Sequence, residues 1–375
     1  MRDIMKKTII YNIPVLMKIL ASAFFVFFLS CNDQFSETII KENKVYSPSG
    51  SGVPVSESGW VKLDKNLIPA RHGAASAVFK NRLYVYGGED EGMVRGDMWA
   101  YDLLSGDEVK LKPHSQLSHA AMFAASGNLY VFGGRDFSGA PVDTLKKYDI
   151  ANDEWTVLGS TDVNGSFPSA RYSCASAVKT SVNQNVQVDP VSVVYIFGGI
   201  NASGNLPGEL FSLTFNNSNS DKPKWESVSP ASVIIPEGRG HSLAIVDDKL
   251  YLFGGENTNS YSSRLFIFDT DESTWKENFT QNRPGPRAFS GIASDKRYLY
   301  VFGGMREAGS SDELWRYDTS ADVWKICSDG PAPRSESAAG FYAGTFVLFG
   351  GRQPESGGTL GDLWVFNPKA DSLLK

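Results

Sequence analysis

Runs of four apolar residues, each stopped by two glycines, set the rhythm of the chain from Leu83 onward. Leu83-Tyr84-Val85-Tyr86 precedes Gly87-Gly88, and Leu129-Tyr130-Val131-Phe132 precedes Gly133-Gly134. Val194-Tyr195-Ile196-Phe197, Leu250-Tyr251-Leu252-Phe253, Leu299-Tyr300-Val301-Phe302 and Phe346-Val347-Leu348-Phe349 stand in the same relation to Gly198-Gly199, Gly254-Gly255, Gly303-Gly304 and Gly350-Gly351. β-Branched and aromatic residues in such short runs predict buried strands. Paired glycines let the backbone leave each strand at positive φ with no side chain in the way. No helical period survives in this region, so a helical reading fails.

Two further landmarks ride on the same repeat. Tyr148-Asp149 leads to Trp155, Phe268-Asp269 to Trp275 and Tyr317-Asp318 to Trp324, each aromatic seven residues before its tryptophan, which predicts strand, polar turn, strand. Trp225 closes the third copy after a longer turn, and in the first and sixth copies the slot falls near Val109 and on Leu373. Trp60 makes seven slots for six diglycines, so in a closed ring Trp60 and Leu373 must be one place. Trp60-Val61-Lys62-Leu63 is therefore expected to supply the outer strand of the unit made by residues 328–370, removing an exposed edge. Upstream, Arg71, Arg171, Arg239, Arg287 and Arg334 each precede a strand of small residues such as Ala74-Ala75-Ser76-Ala77, while Leu117 holds that register in the second copy. Residues Val182 to Ser192 lengthen the third copy between its first two strands and predict an extended hairpin or loop on the face opposite the diglycines.

These repeats resemble the kelch family over residues 60–375, at a period of about fifty residues. The resemblance implies an all-β fold, a six-bladed β-propeller of four-stranded antiparallel blades, occupying residues 58–375 and closed by the N-terminal outer strand. It also implies that ligands engage the face shared by the loop before each first strand and the loop after each second strand. That face is expected to carry Arg71, Arg135, Arg171, Arg239, Arg287, Arg334 and Arg352, together with Glu89 and Glu256. Arginine forks match carboxylate and sulfate oxygens in pairs of hydrogen bonds, which suits an acidic sugar or an acidic peptide loop. The competing reading is structural: an arginine at a fixed repeat position bonds carbonyls of the neighbouring blade. Arg135 and Arg352 fit the repeat rule less tidily and are the better ligand candidates.

Two related enzymes frame the alternatives. The galactose oxidase propeller also carries kelch-type repeats, and its copper site uses two histidines, two tyrosines and a tyrosine–cysteine crosslink. Here Cys174 and Cys327 neighbour no histidine pair, so copper chemistry is rejected; the two read as buried small hydrophobes, too far apart for a disulfide. Six-bladed bacterial kelch enzymes that interconvert sialic acid anomers place a glutamate after a strand-ending glycine and an arginine several residues on. Gly255-Glu256 followed by Arg264 resembles this, as does Gly88-Glu89 followed by Arg95. In that alternative the carboxylate moves a proton at the anomeric hydroxyl while the arginine holds the acid. His119 and His241 share a register two places after the arginine position, but a blade separates them, and His72 and His114 join them by no visible spacing. No metal and no cofactor is expected. Trp99, Trp315 and Trp364 recur at the start of third strands, a register that favours packing over stacking on sugar rings.

The first thirty residues break the pattern. Arg2, Lys6, Lys7 and Lys18 precede an uncharged run from Ile19 to Ser30, built around Phe24-Phe25-Val26-Phe27-Phe28. It is too short for a transmembrane helix and fits the apolar core of a secretory signal. Leu29-Ser30-Cys31 resembles a bacterial lipobox, although Phe28 departs from the usual leucine. That resemblance implies cleavage of residues 1–30, a lipid on Cys31 and anchoring in the bacterial cell envelope at the outer membrane. Residues 31–57 then read as a flexible polar tether. Losing the signal removes three net positive charges from a chain of net charge −6, leaving −9. An acidic chain lacks the basic face that nucleic acid requires. Three cysteines exclude a disulfide scaffold. The expected function is a lipid-anchored module that binds a protein or a glycan.

Overall fold

The computed structural model describes residues 59–63, 67–159, 161–181, 191–215, 222–228 and 238–374. The signal segment, Cys31, the tether and residues 182–190 of the third-copy insertion lie outside the described residues. Each of the six repeats folds as one antiparallel blade. Blade 1 runs through Ala75–Phe79, Arg82–Tyr86, Met98–Asp102 and Glu108–Leu111; blade 2 through Ala121–Ala125, Asn128–Phe132, Leu145–Asp149 and Glu154–Leu158. Blade 3 comprises Ala175–Ser181, Val191–Phe197, Leu210–Phe215 and Lys224–Val228, and blade 4 Arg239–Val246, Lys249–Glu256, Leu265–Asp269 and Thr274–Asn278. Blade 5 comprises Gly291–Ser294, Tyr298–Phe302, Leu314–Asp318 and Val323–Ile326. Blade 6 has Ala338–Tyr342, Thr345–Gln353 and Gly358–Phe366, and its outer strand is Trp60–Leu63. Blade 3 departs from the four-stranded rule, because Asn164–Gly165 adds a short parallel fifth strand beside Lys224–Val228. The described part of the insertion continues the two arms of a hairpin, with Ser181 paired to Val191.

The ring closes as the slot count requires. Trp60, Val61, Lys62 and Leu63 pair with Phe366, Val365, Trp364 and Leu363. Leu373 stands outside the sheet in a single 3-10 turn, Ser372–Leu374. The Asp371 carboxylate accepts hydrogen bonds from the Ser328 amide at 2.9 Å and its hydroxyl at 2.5 Å, tying the chain end to the start of the sixth repeat. In blade 1 the slot is occupied by Glu108, which pairs with Tyr101; Val109 lies one residue on.

The cores lie between blades, and the apolar runs fill them. Leu83, Val85, Leu129, Val131, Val194, Ile196, Leu299 and Val301 are fully buried. Each outer-strand tryptophan wedges against a second-strand aromatic of the preceding blade. Trp155 meets Tyr86 at 4.9 Å, Trp225 meets Phe132 at 5.2 Å, Trp275 meets Phe197 at 5.9 Å, Trp324 meets Phe253 at 5.3 Å and Trp60 meets Phe302 at 5.3 Å. These centroid separations are those of favourable offset and edge-to-face aromatic pairs. Among the described residues no helix is long and apolar enough to cross a membrane.

The diglycines are the joints between blades. All twelve of these glycines have positive φ. The second glycine of each pair donates its N–H to the carbonyl of the next blade's arginine-register residue, as from Gly134 to Arg171 and from Gly304 to Arg334, both at 2.9 Å. A Cβ on the first glycine would strike that same carbonyl, at 2.5 Å for Gly133 against Arg171. Only glycine satisfies both demands.

Candidate functional site

A ring of hydrogen bonds surrounds the propeller axis. The residue two places after the arginine register is Gly73, His119, Ser173, Gly240, Phe289 or Glu336 in blades 1 to 6, and each has φ between 54° and 65°. The N–H of each donates to the carbonyl of the one before: His119 to Gly73, Ser173 to His119, Gly240 to Ser173, Phe289 to Gly240 and Glu336 to Phe289. Gly73 donates to Glu336 at 3.0 Å and completes the circle. Six blades are thus stitched at their innermost point, and the side chains of this ring line the central channel.

Above the ring opens a mouth of about 270 Å³. His72, Glu89, His119, Arg135, Tyr172 and Arg239 line one arc, and Glu256, Tyr261, Phe289, Glu336 and Arg352 another. Its charges are paired. Arg135 and the Ser118 hydroxyl both donate to Glu89. Arg239 Nε donates to Glu256 at 2.5 Å, and Arg352 lies 2.7 Å from Glu336 Oε1. The other oxygen of Glu336, Oε2, lies 2.6 Å from His72 Nδ1 and 3.1 Å from His119 Nε2. Arg135 lies over the Tyr172 ring and Arg239 over the Phe289 ring, both at 5.6 Å. Arg135, Arg239 and Arg352 keep 32%, 36% and 41% of their side chains exposed, enough to meet a ligand.

Glu336 is 4% exposed. Burial works to raise its pKa, but hydrogen bonds from His119 and His72 and the charge of Arg352 outweigh burial and hold the carboxyl well below the usual range. The Glu89 carboxyl is also held low, first by His119 and then, against desolvation, by Ser118 and Arg135. Burial pulls the His119 pKa down, yet Glu336 and Glu89 together raise it above the ordinary value.

The expected arginine face divides into two kinds of arginine. Arg71, Arg171, Arg287 and Arg334 are each 1% exposed and stand apart from the mouth. Arg71 donates to the Gly87 carbonyl at 2.9 Å and forks onto Asp97; Arg334 donates to the Gly350 carbonyl at 3.1 Å and forks onto Asp362. Arg171 and Arg287 donate to the Gly198 and Gly303 carbonyls and make one hydrogen bond each to Glu209 and Glu313. The side chain therefore bonds its own blade, not the neighbouring one. The backbone reaches back to the preceding blade, so each arginine fastens two blades together. Trp99, Trp315 and Trp364 belong to these fasteners, donating to Asp97, Glu313 and Asp362. Arg135, Arg239, Arg352, Glu89 and Glu256 do line the mouth.

Two register assignments need correction. Gly238, not Arg239, occupies the arginine place of blade 4, because it is the Gly238 carbonyl that Gly199 N–H contacts. Arg239 is one residue on, which is why it reaches the mouth. His241 then lies three places past the register and shares none with His119; its ring is buried against Phe197, and burial lowers its pKa to about 4. His72, which no spacing linked to another histidine, stands 6.0 Å from His119 ring to ring. Neither arginine of the sialic acid pairs lies in the mouth. Arg264 forks onto Glu277 and lines a neighbouring cleft that shares Glu256 and Tyr261 with the mouth, and Arg95 is held by Asp90 at 2.7 Å. Glu336, Tyr172, Tyr261 and Phe289 were missed; Glu336 was findable, two residues past Arg334, where His119 stands past Leu117. Cys174 and Cys327 are free thiols, and burial pushes the Cys174 thiol up to about 12.

Comparison with known proteins agrees with this architecture. Tip elongation aberrant protein 1 of Schizosaccharomyces pombe is 27% identical over 260 residues, covering 64% of this chain and 21% of that protein. The Rab9 effector protein with kelch motifs of Xenopus laevis is 28% identical over 188 residues, covering 48% of this chain and 46% of its own. N-(sulfonatooxy)prop-2-enimidothioate sulfolyase of Thlaspi arvense is 24% identical over 269 residues, covering 64% of this chain and 72% of that enzyme. The chain spans only 21% and 25% of the length of the first two curated relatives it matches. Among solved structures, that of YjhT superposes with a TM-score of 0.62 at 15% identity, covering 80% of this chain and 95% of that one, a likeness of fold. Residues 55–188 and 184–373 match the KLHDC2/KLHL20/DRC7 Kelch-repeats domain, and the chain belongs to the kelch-repeat family.

Proposed function

We propose that this protein is a binding module of the bacterial cell envelope, held to the membrane by a lipid on Cys31, whose mouth takes an acidic group of a protein or glycan ligand. The observation that carries the reading is the trio Arg135, Arg239 and Arg352. All three converge on one mouth, keep about a third of their surface open and are already oriented by carboxylates. A carboxylate or sulfate can share those guanidinium donors in paired hydrogen bonds. Tyr172, Tyr261 and Phe289 offer apolar faces beside them for a sugar ring or a peptide side chain. A kelch propeller is a common platform for protein partners, and the similarity to a Rab9 effector protein supports that class. The competing enzyme of sialic acid mutarotase type has less support, because Arg264 is engaged by Glu277 and Glu256 by Arg239, although Glu256 and Arg264 border one cleft.

The test is a glycan array and an envelope-protein capture with the full chain, followed by affinity measurement on Arg135→Ala and Arg352→Ala. Loss of one charged hydrogen bond should weaken binding by about 10- to 100-fold. A ligand bound equally well by both variants would place the site elsewhere. The anchor is tested separately, by mass spectrometry for lipid on Cys31 and by release of a Cys31→Ser chain from membranes.

A further inference from the structure

His72, His119 and Glu336 bring one ligating atom each to within 4.8 Å of one another at the floor of the mouth. They come from blades 1, 2 and 6, and the hydrogen-bonded ring that positions His119 and Glu336 fixes their backbones. We propose that this trio is a binding site for a divalent first-row transition-metal ion of the zinc or iron(II) class. Two histidines and one carboxylate form a donor set such ions accept, with the remaining positions left to water or ligand. Ligand atoms around a tetrahedral zinc stand roughly 3.3 Å apart, given bond lengths near 2.0–2.1 Å. His119 Nε2 is 3.1 Å from Glu336 Oε2 and His72 Nδ1 is 2.6 Å from it, so a small outward rotation of His72 admits the ion.

Three further features fit a metal better than a bare hydrogen-bonded clamp. His119 Nδ1 is buried without a hydrogen-bond partner and lies 3.6 Å from Glu89 Oε1. A carboxylate behind a ligating imidazole is the usual outer support of a metal histidine, and a closer approach of Glu89 to Nδ1 on metal binding would fix the His119 tautomer and raise its basicity. Glu89 is itself fixed by Ser118 and Arg135. Gly73 makes the room, since a Cβ there would stand 2.6 Å from the His119 ring. The charge count also has a consequence. With neutral imidazoles, Glu336 and Glu89 are balanced by Arg352 and Arg135, so a bound dication leaves the floor positive and favours an anionic group at its open positions.

The experiment uses the full chain without an affinity tag, treated with chelator and then titrated with Zn²⁺ in a calorimeter. One equivalent should bind in the micromolar range or tighter. His72→Ala and Glu336→Gln should weaken binding about 100-fold or more, and Glu89→Gln about 10-fold. Footprinting of the wild-type chain with diethyl pyrocarbonate keeps the proposal testable if the variants fail to fold: Zn²⁺ should protect His72 and His119 while leaving His114 reactive. Absence of Zn²⁺ binding, or binding that leaves His72 and His119 as reactive as before, would overturn the metal site and leave a His–Glu–His hydrogen-bonded clamp. Neither result touches the acidic-ligand reading, which is scored by the arginine variants.

Discussion

Trp60 is the residue on which ring closure turns, and Trp60→Ala is the sharpest probe of it. The indole is 7% exposed. It stands edge-on to Phe302 of blade 5 at 5.3 Å, and packs on Phe366 and Phe346 of its own blade at 5.1 and 6.2 Å. Truncating a buried tryptophan to alanine costs about 3–5 kcal/mol in lost transfer energy and cavity. A domain holds about 5–15 kcal/mol in total, so this one change removes a large fraction. Removing residues 60–63 should cost more, because the four-residue ladder to Leu363–Phe366 goes with the indole and the strand Gly358–Phe366 becomes a bare edge. The assay is guanidinium unfolding followed by far-ultraviolet circular dichroism, paired with hydrogen exchange of residues 358–366. Lys62→Ala, at the exposed position of the same strand, is the control and should stay within about 0.5 kcal/mol of wild type. A Trp60→Ala chain within about 1 kcal/mol of wild type, with its exchange pattern unchanged, would refute the closure.

The joints, the fasteners and the buried His241 give three further tests. Gly133→Ala combines left-handed strain at φ 65° with a Cβ 2.5 Å from the Arg171 carbonyl and should cost about 3 kcal/mol or more, whereas Gly139→Ala, at φ 87° in open space, should cost only about 1–2 kcal/mol in chemical denaturation. Arg334→Met strands Asp362, whose carboxyl the guanidinium holds low against desolvation, and should cost about 3–5 kcal/mol, while Arg297→Ala at the exposed pair with Asp318 should cost less than about 1 kcal/mol. His241 is neutral in the folded chain down to about pH 4, but an unfolded histidine takes up its proton near 6.5. Its stabilising effect is complete above pH 6.5 and fades as pH falls through that window, by roughly 3 kcal/mol in full, so His241→Gln should flatten the dependence of stability on pH between those values. An unchanged slope would exclude His241 as its source.

The fold was legible because a propeller writes itself six times. One strand run, one diglycine and one tryptophan slot, repeated in register, determine blade, joint and wedge, and the surplus slot at Trp60 determines closure. The site was legible only in part, for a physical reason. The mouth is lined from positions whose side chain the repeat leaves free to vary, so periodicity gives the place but not the residue. Arg71 and Arg334 recur because they are fasteners, so the most regular arginines are the ones buried away from the mouth. Arg135 and Arg352, which fit the repeat less well, are at the mouth. Blade 4 puts Gly238 where the other blades put arginine or leucine, so the arginine pattern of the sequence points to Arg239, one residue on, and pairs His241 with His119, which the structure separates. Glu336 and His72 are 264 residues apart in the chain, and only the closed ring brings them together.

The axial ring shows where this chain gives up stability for side chains. All six ring residues adopt left-handed backbone, which Gly73 and Gly240 do without strain. His119, Ser173, Phe289 and Glu336 hold φ of 54°, 56°, 58° and 57°, at a cost of about 1–2 kcal/mol each. Nothing in the circle of hydrogen bonds requires those four side chains, because the two glycines make the same bonds. Their strain is offset only by what the side chains reach. For His119 and Glu336 that is each other and the mouth; Phe289 carries Arg239 on its ring. Ser173 makes the cleanest test, since its side chain lines the mouth with no structural partner as evident as these. Ser173→Gly relieves the left-handed strain but gives the unfolded chain more freedom, for a net gain of about 0.5–1 kcal/mol. Thermal and denaturant unfolding should register that gain, together with any loss of affinity for an acidic ligand. A Ser173→Gly chain less stable than wild type would show that the ring is not strained at this position, and the argument that its side chains are kept for function would fail with it.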